Sequence, residues 1–184
     1  MTKHAPVIIV LTGLPASGKS TLRKALVDRW RLPGLVACST DDYLEAVAEM
    51  RGISYNAAYL ENSDEALEHF NHALIVALHN DRDILVDRTN LTVKARRRVR
   101  ANVPKYYTEI SILCDCGFDE RNRRQNERDA SGERGIPARA IQDMRDYFVA
   151  PGADEGFDFR LTDWDVIRDG QLIEGQLSVY YTHR

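Results

Sequence analysis

The sequence predicts an α/β fold, a parallel β-sheet flanked by helices. Short apolar runs of strand type alternate along the chain with longer segments of helical periodicity. The first of these runs leads into a glycine-rich turn and then a helical pattern, the layout of a strand-loop-helix unit. With 184 residues, 43% of them hydrophobic, a single domain with a sizeable core is expected over the whole chain.

The elements follow in order. Val7 to Leu11 reads as a buried strand. Lys19 to Trp30 reads as a helix, with Leu22, Ala25, Leu26 and Trp30 at helical spacing. Leu35 to Cys38 is a second strand, and Asp42 to Arg51 a helix. Asn62 to Asn80 is a longer helix whose Leu67, Phe70, Leu74, Ala77 and Leu78 form one apolar face. Ile84 to Val86 is a strand, and Thr92 to Asn102 a helix that Pro104 ends. Thr108 to Cys114 is a strand. Phe118 to Arg128 and Pro137 to Val149 are helices joined by a polar loop with Gly132 and Gly135, with Pro137 in a first turn, where its missing N–H costs nothing. Beyond Phe157, Val166 to Ile173 carries apolar pairs around Asp169-Gly170, a hairpin signal.

Composition bounds the function. The net charge of −3 excludes a protein that is basic overall, so any nucleic-acid surface is a local patch. No apolar run approaches the roughly 20 residues of a membrane span. Met1 to Pro6 lacks the layout of a signal peptide. Cys38, Cys114 and Cys116 form no disulfide framework, and a reducing cytoplasm is the expected setting, with no membrane partner. Monomer and homo-oligomer both stay open.

The strongest motif is Gly13-Leu14-Pro15-Ala16-Ser17-Gly18-Lys19-Ser20-Thr21, a complete G-x-x-x-x-G-K-S between strand and helix. Gly13 and Gly18 permit close backbone approach. Backbone N–H groups and the helix N-terminus then form an anion cradle for a nucleoside triphosphate. Lys19 is expected on the β- and γ-phosphates, and Ser20 on Mg²⁺. The motif names a donor, ATP or another triphosphate, and leaves the acceptor open. There is no N-K-x-D guanine motif, and the chain is shorter than large motor ATPases, which leaves a small kinase as the best class.

Ser39-Thr40-Asp41-Asp42-Tyr43 follows the second strand. Ligand clefts of open parallel sheets lie at the carboxyl ends of the strands. A carboxylate there can orient an attacking hydroxyl and take its proton. Asp41 is the first candidate and Asp42 the second; helix capping is the competing reading.

The chain resembles the kinase domain of phage-type 5′-polynucleotide kinases. The resemblance rests on G-L-P-A-S-G-K-S-T, S-T-D-D-Y, V-D-R-T-N at Val86 to Asn90, the arginine-rich run from Arg121, I-P-A-R-A-I-Q-D-M from Ile136 and F-V-A-P-G-A-D-E-G-F-D from Phe148. It implies an adenylate-kinase-like P-loop fold, ATP–Mg²⁺ as donor and the 5′-hydroxyl of DNA or RNA as acceptor. By matching position it implies Asp41 as general base and Asp87 as a second acid near metal or acceptor, with Asn90 beside it. It also implies a lid over residues 117–149 whose arginine, ranked Arg128, then Arg124 and Arg134, clamps the triphosphate; residues 157–184 form an extension. Two departures stand out. Leu44 occupies a position where the family often carries an arginine, and Arg88 fills the variable position of D-x-T-N. Arg88 or Arg51 is therefore expected to contact the acceptor phosphate. A modified base in phage DNA, a nucleoside or another small hydroxyl is the alternative acceptor.

Arg88, Lys94, Arg96, Arg97, Arg98, Arg100 and Lys105 form a stretch without an acid. Arg96 and Arg100 share a predicted helix face, which suits either solvation or phosphate-backbone contact. Cys114-x-Cys116 and the His69, His72 pair lack the further ligands of a metal site, and Trp30 and Trp164 are expected in the core.

Overall fold

A computed structural model describes residues 5–29, 34–131, 136–168 and 171–172. The chain runs β1 (Val7–Thr12), α1 (Lys19–Arg29), β2 (Val36–Ser39), α2 (Thr40–Arg51), α3 (Tyr55–His79), β3 (Ile84–Asp87), α4 (Val93–Arg100), β4 (Thr108–Leu113), α5 (Phe118–Ser131), α6 (Ala138–Asp146), a 3-10 turn at Ala153–Glu155, β5 (Phe159–Thr162), α7 (Asp163–Val166), β6 (Ile167–Arg168) and β7 (Gln171–Leu172). The α/β class is as the alternation predicts. Five strands form one sheet in the order β2-β3-β1-β4-β5, and every neighbouring pair is parallel. All the strand carboxyl ends therefore lie on one edge.

The central strand shows why the sheet is covered on both faces. Successive side chains of a strand point to opposite sides. Ile8 and Val10 of β1 pack with Phe70 and Leu74 of α3 and Val99 of α4. Val7, Ile9 and Leu11 pack with Leu22 and Leu26 of α1. All six β1 residues are buried, so each face of the central strand sits in its own apolar layer against the helices.

Local chemistry sets the helix ends that matter for the site. The Ser39 side chain accepts from the Asp41 N–H at 3.1 Å and caps α2. Gly52, at φ 62°, closes α2 in the left-handed region. Thr92 caps α4 by accepting from the Ala95 N–H at 3.0 Å.

Three features depart from the sequence reading. Helix α3 begins at Tyr55 rather than Asn62, and Asn62 (φ −130°, ψ 20°) is a kink within it. Residues 159–162 are not part of a separate extension, because they form the fifth strand of the main sheet. Arg96 turns inward: it is fully buried, donating to both Glu155 carboxylate oxygens (2.6 and 2.8 Å) and to the Asn90 and Val149 carbonyls. Arg100 pairs with Glu109 and lies 3.9 Å over the Phe157 ring. The shared face of Arg96 and Arg100 is thus structural, since burying a guanidinium requires partners for its donors. Pro137 stands at the N-cap of α6, one position before the first turn.

The expected hairpin appears as antiparallel pairing of Ile167 with Leu172 and Arg168 with Gln171. The Asp169-Gly170 turn, Trp30, Gly132, Gly135, Arg134 and the side chain of Trp164 lie outside the described residues. Among the described residues, no helix is long and apolar enough to cross a membrane.

Candidate active site

The phosphate loop is built by close packing. A Cβ on Gly13 would lie 2.6 Å from the Cys114 carbonyl and from Ser17 Oγ, so only glycine fits there. Gly18 adopts φ 101°, and Ala16 sits in the left-handed region at φ 61°. The Gly13 N–H donates to the Thr89 carbonyl at 3.0 Å, which ties the loop to the segment after β3. Lys19 Nζ donates to the Gly13 and Leu14 carbonyls at 2.7 Å each. Burial depresses its pKa, while Asp87 and Asp41, among others, pull the other way. Ser17 Oγ is buried without a hydrogen-bond partner among the described residues. A cavity of about 410 Å³ opens over Ala16, Gly18, Ser20 and Thr21 and is roofed by Arg124, Glu127 and Arg128 of α5. An orphaned buried hydroxyl, a buried ammonium and a cradle that a Cβ would fill together fit a triphosphate.

The carboxylates come from the next two strand ends. Ser39 of β2 is in register with Asp87 of β3, so Asp41 and Asp87 share the edge with the loop. Half-buried Asp41 lies in the first turn of α2 and accepts from Tyr55 Oη at 2.9 Å. Exposed Asp42 is held by Arg23 through two bonds of 2.6 and 2.5 Å. Arg23 also reaches Asp87 at 3.3 Å. Burial raises the Asp87 pKa, and Arg23 and Lys19 oppose the rise. Ser20 and Asp87 are the residues from which a divalent-cation contact is expected. No group of three or more His, Cys, Asp or Glu side chains suited to a metal exists among the described residues.

The structure brings Gly13, Ala16, Ser17, Gly18, Lys19, Ser20, Thr21, Asp41, Asp87, Arg124 and Arg128 to this edge. Arg124 Nη1 lies 3.4 Å from the Cβ that Gly18 lacks, and Arg128 lies close enough to lower the Lys19 pKa. Other expected residues do different things. Asn90 is buried at φ 47° and donates to the Leu11 carbonyl at 2.8 Å, so its amide fastens a loop. Arg51 sits at the far end of α2, about 15 Å of helix rise from Asp41, and pairs with Glu61 at 2.8 Å. Leu44 is 1% exposed and packs in the interior. Cys114 is buried, and burial pushes its thiol up to about 12.

Sequence reasoning missed Arg23 and Tyr55. Arg23 is one helical turn beyond Lys19, a spacing that could have flagged it. Tyr55 lies between the helices expected over 42–51 and 62–80 and carried no signal.

A second cleft, of about 610 Å³, lies between α3, the loop 88–92, α4 and α6. Arg88, Lys94 and Arg98 line it, with Leu74 and Val99 beneath and Tyr147 at its edge; none of its lining residues is acidic. The Arg88 guanidinium lies 5.0 Å from the Phe70 ring centroid. Burial and the Arg98 charge lower its pKa, and the Asp41 charge opposes them.

A family model, AAA_33, described as an AAA domain, matches residues 8–151. The chain belongs to the AAA_33 family. The match spans the phosphate loop, both carboxylate strand ends, α5 and α6, and stops before β5. A "putative kinase" from Chloroflexus aurantiacus is 26% identical with a TM-score of 0.63, over 87% of this chain and 85% of that one. A chain of the Pnkp1/Rnl/Hen1 RNA repair complex is 21% identical with a TM-score of 0.58, over 78% of this AAA_33 chain and 44% of its own length. The APS kinase CysC of Mycobacterium tuberculosis, solved with AMPPNP and APS, is 19% identical with a TM-score of 0.53, over 96% of both chains. The AAA_33 chain thus has a kinase-like P-loop fold.

Proposed function

We propose that the protein is an ATP-dependent kinase that transfers the γ-phosphate to the 5′-hydroxyl of DNA or RNA. One observation carries the reading: the strand ends that lead into Asp41 and carry Asp87 lie on the same edge of the sheet as the phosphate loop and Lys19, and Arg124 and Arg128 of α5 roof that loop. A nucleotide switch needs no such acid beside its outermost phosphate. Bound ATP–Mg²⁺ supplies the phosphoryl group and neutralises its charge. The loop N–H groups and Lys19 hold the phosphates, and Ser20 with Asp87 holds the cation. Asp41 orients the acceptor hydroxyl and takes its proton. Arg128 and Arg124 stabilise charge on the moving phosphoryl group and, as a lid, exclude water.

The nucleic-acid acceptor is supported by the second cleft, whose three cations and absence of acids suit a phosphodiester. The RNA repair complex among the structural neighbours is consistent with it. Buried Leu44, in place of an arginine, favours a second reading: a modified base or small hydroxyl as acceptor.

Transfer of labelled γ-phosphate to a panel of single-stranded oligonucleotides, nucleosides and base-modified DNA, followed by end digestion, tests both. Label released as the 5′-terminal phosphate supports the first reading, and label confined to nucleosides or modified bases the second. Lys19→Ala and Asp41→Ala are each expected to lower kcat at least ~10²-fold; near-normal turnover in Asp41→Ala would remove the general base.

A further inference from the structure

The hydroxyl of Tyr55 sits on Asp41, the side chain that the kinase reading needs most, and any role for the tyrosine rests on that reading. Tyr55 is the first residue of α3, next to the Ser54 cap, which accepts from the Ala57 N–H at 3.2 Å. The kink at Asn62 separates this opening segment from the rest of the helix. Ala58, fully buried, and the Arg51–Glu61 pair at 2.8 Å hold the segment against α2. The Tyr55 Oη donates to Asp41 Oδ1 at 2.9 Å, between groups 14 residues apart across a helix end and a turn.

We propose that Tyr55 is a positioning residue for phosphoryl transfer, holding the Asp41 carboxylate in the orientation from which it takes the acceptor's proton. An ionised carboxylate has about four acceptor positions, so the tyrosine and an acceptor hydroxyl bind it together. In the step itself the acceptor hydroxyl gives its proton to Asp41. Its oxygen forms a bond to the γ-phosphorus. The bond from that phosphorus to the bridging oxygen breaks, and its electron pair leaves with the nucleoside diphosphate. Tyr55 neither gains nor loses a proton. Burial and the Asp41 charge push its own pKa well above the ordinary tyrosine value, which keeps the O–H a donor throughout.

Tyr55→Phe keeps the ring and its packing and removes only the donor. With the acceptor that the wild type uses, kcat is expected to fall about tenfold, which is ~1.4 kcal/mol and on the order of one hydrogen bond to a charged group, with the KM for ATP unchanged. In an Asp41→Asn background the same change is expected to have no further effect on the residual rate, since the two side chains act as one unit. A packing role predicts the opposite pattern: independent, multiplicative losses in the double variant. That result, or a Tyr55→Phe enzyme with wild-type kcat, overturns the proposal. A wild-type protein that binds ATP but phosphorylates none of the acceptors overturns the kinase reading itself, and the role of Tyr55 with it.

Discussion

Arg96 is the largest fully buried side chain among the described residues. It links distant parts of the site. Its guanidinium grips Glu155 and donates to the carbonyls of Asn90 and Val149. Asn90 in turn donates to Leu11, next to the phosphate loop, and neighbouring Thr89 accepts from Gly13. Removing one partner leaves an uncompensated buried charge, which costs about 3–5 kcal/mol. Glu155→Gln is therefore expected to lower the unfolding free energy at pH 7, measured by denaturant titration. Burial pushes the Glu155 carboxyl upward, but hydrogen bonds from Arg96 and the Gly152 N–H outweigh it and hold the pKa below its ordinary 4.5. For a depressed carboxylate the stabilisation is complete above the unfolded value and disappears as pH falls through the folded one. The stability gap between wild type and Glu155→Gln should accordingly hold above pH 4.5 and narrow below it. The sequence shows that residues 92–102 are helical and basic. Which arginine turns inward depends on Glu155, 59 positions away, and no local pattern encodes that pairing.

Helix α5 shows how spacing becomes orientation. Residues four apart share a helix face, so Arg124 and Arg128 both face the phosphate loop. Arg123 lies outside, paired with Glu120 and Glu127. Exposed pairs of that kind contribute little to stability. Arg128→Ala and Arg124→Ala are expected to lower kcat, by ~10³-fold or more for whichever arginine meets the transferring phosphoryl group. Arg123→Ala should stay within a few-fold of wild type in the same steady-state assay. Equal losses at all three positions would mean that α5 as a whole had shifted. Most elements were legible because burial imposes a period: the apolar stripe of α3 marks its body from Leu67 to Leu78. Its opening turns were not legible, because Tyr55 to Glu61 carries polar residues and its apolar Tyr59 and Leu60 face outward. β5 was missed for a similar reason. It is four residues long, half exposed in alternation and interrupted by Arg160.

At the scale of the whole molecule, charge is unevenly distributed. The net charge is −3, yet the second cleft carries Arg88, Lys94 and Arg98 with no acid in its lining. A local field of that kind attracts a polyanion against the overall sign. For a single strand, each phosphate contact contributes roughly 0.7 to the slope of log K against log salt. Lys94→Ala with Arg98→Ala is expected to flatten that slope for a single-stranded oligonucleotide by about one unit or more. An unchanged slope in fluorescence titrations would assign the cleft another role. The phosphate loop and Asp41 were readable from sequence because motif and strand end coincide; the cleft was not, since it is assembled from three helices and a loop.

Strand β5 closes one border of the sheet. Among the described residues its four residues pair with β4 alone, and the chain reaches that place after the other four strands of the sheet. Until it docks, the flank of β4 presents unsatisfied amides and carbonyls to any neighbouring polypeptide, an invitation to self-association. Newly synthesised copies are thus most exposed to aggregation in the interval before Phe159 to Thr162 emerge and seal that flank.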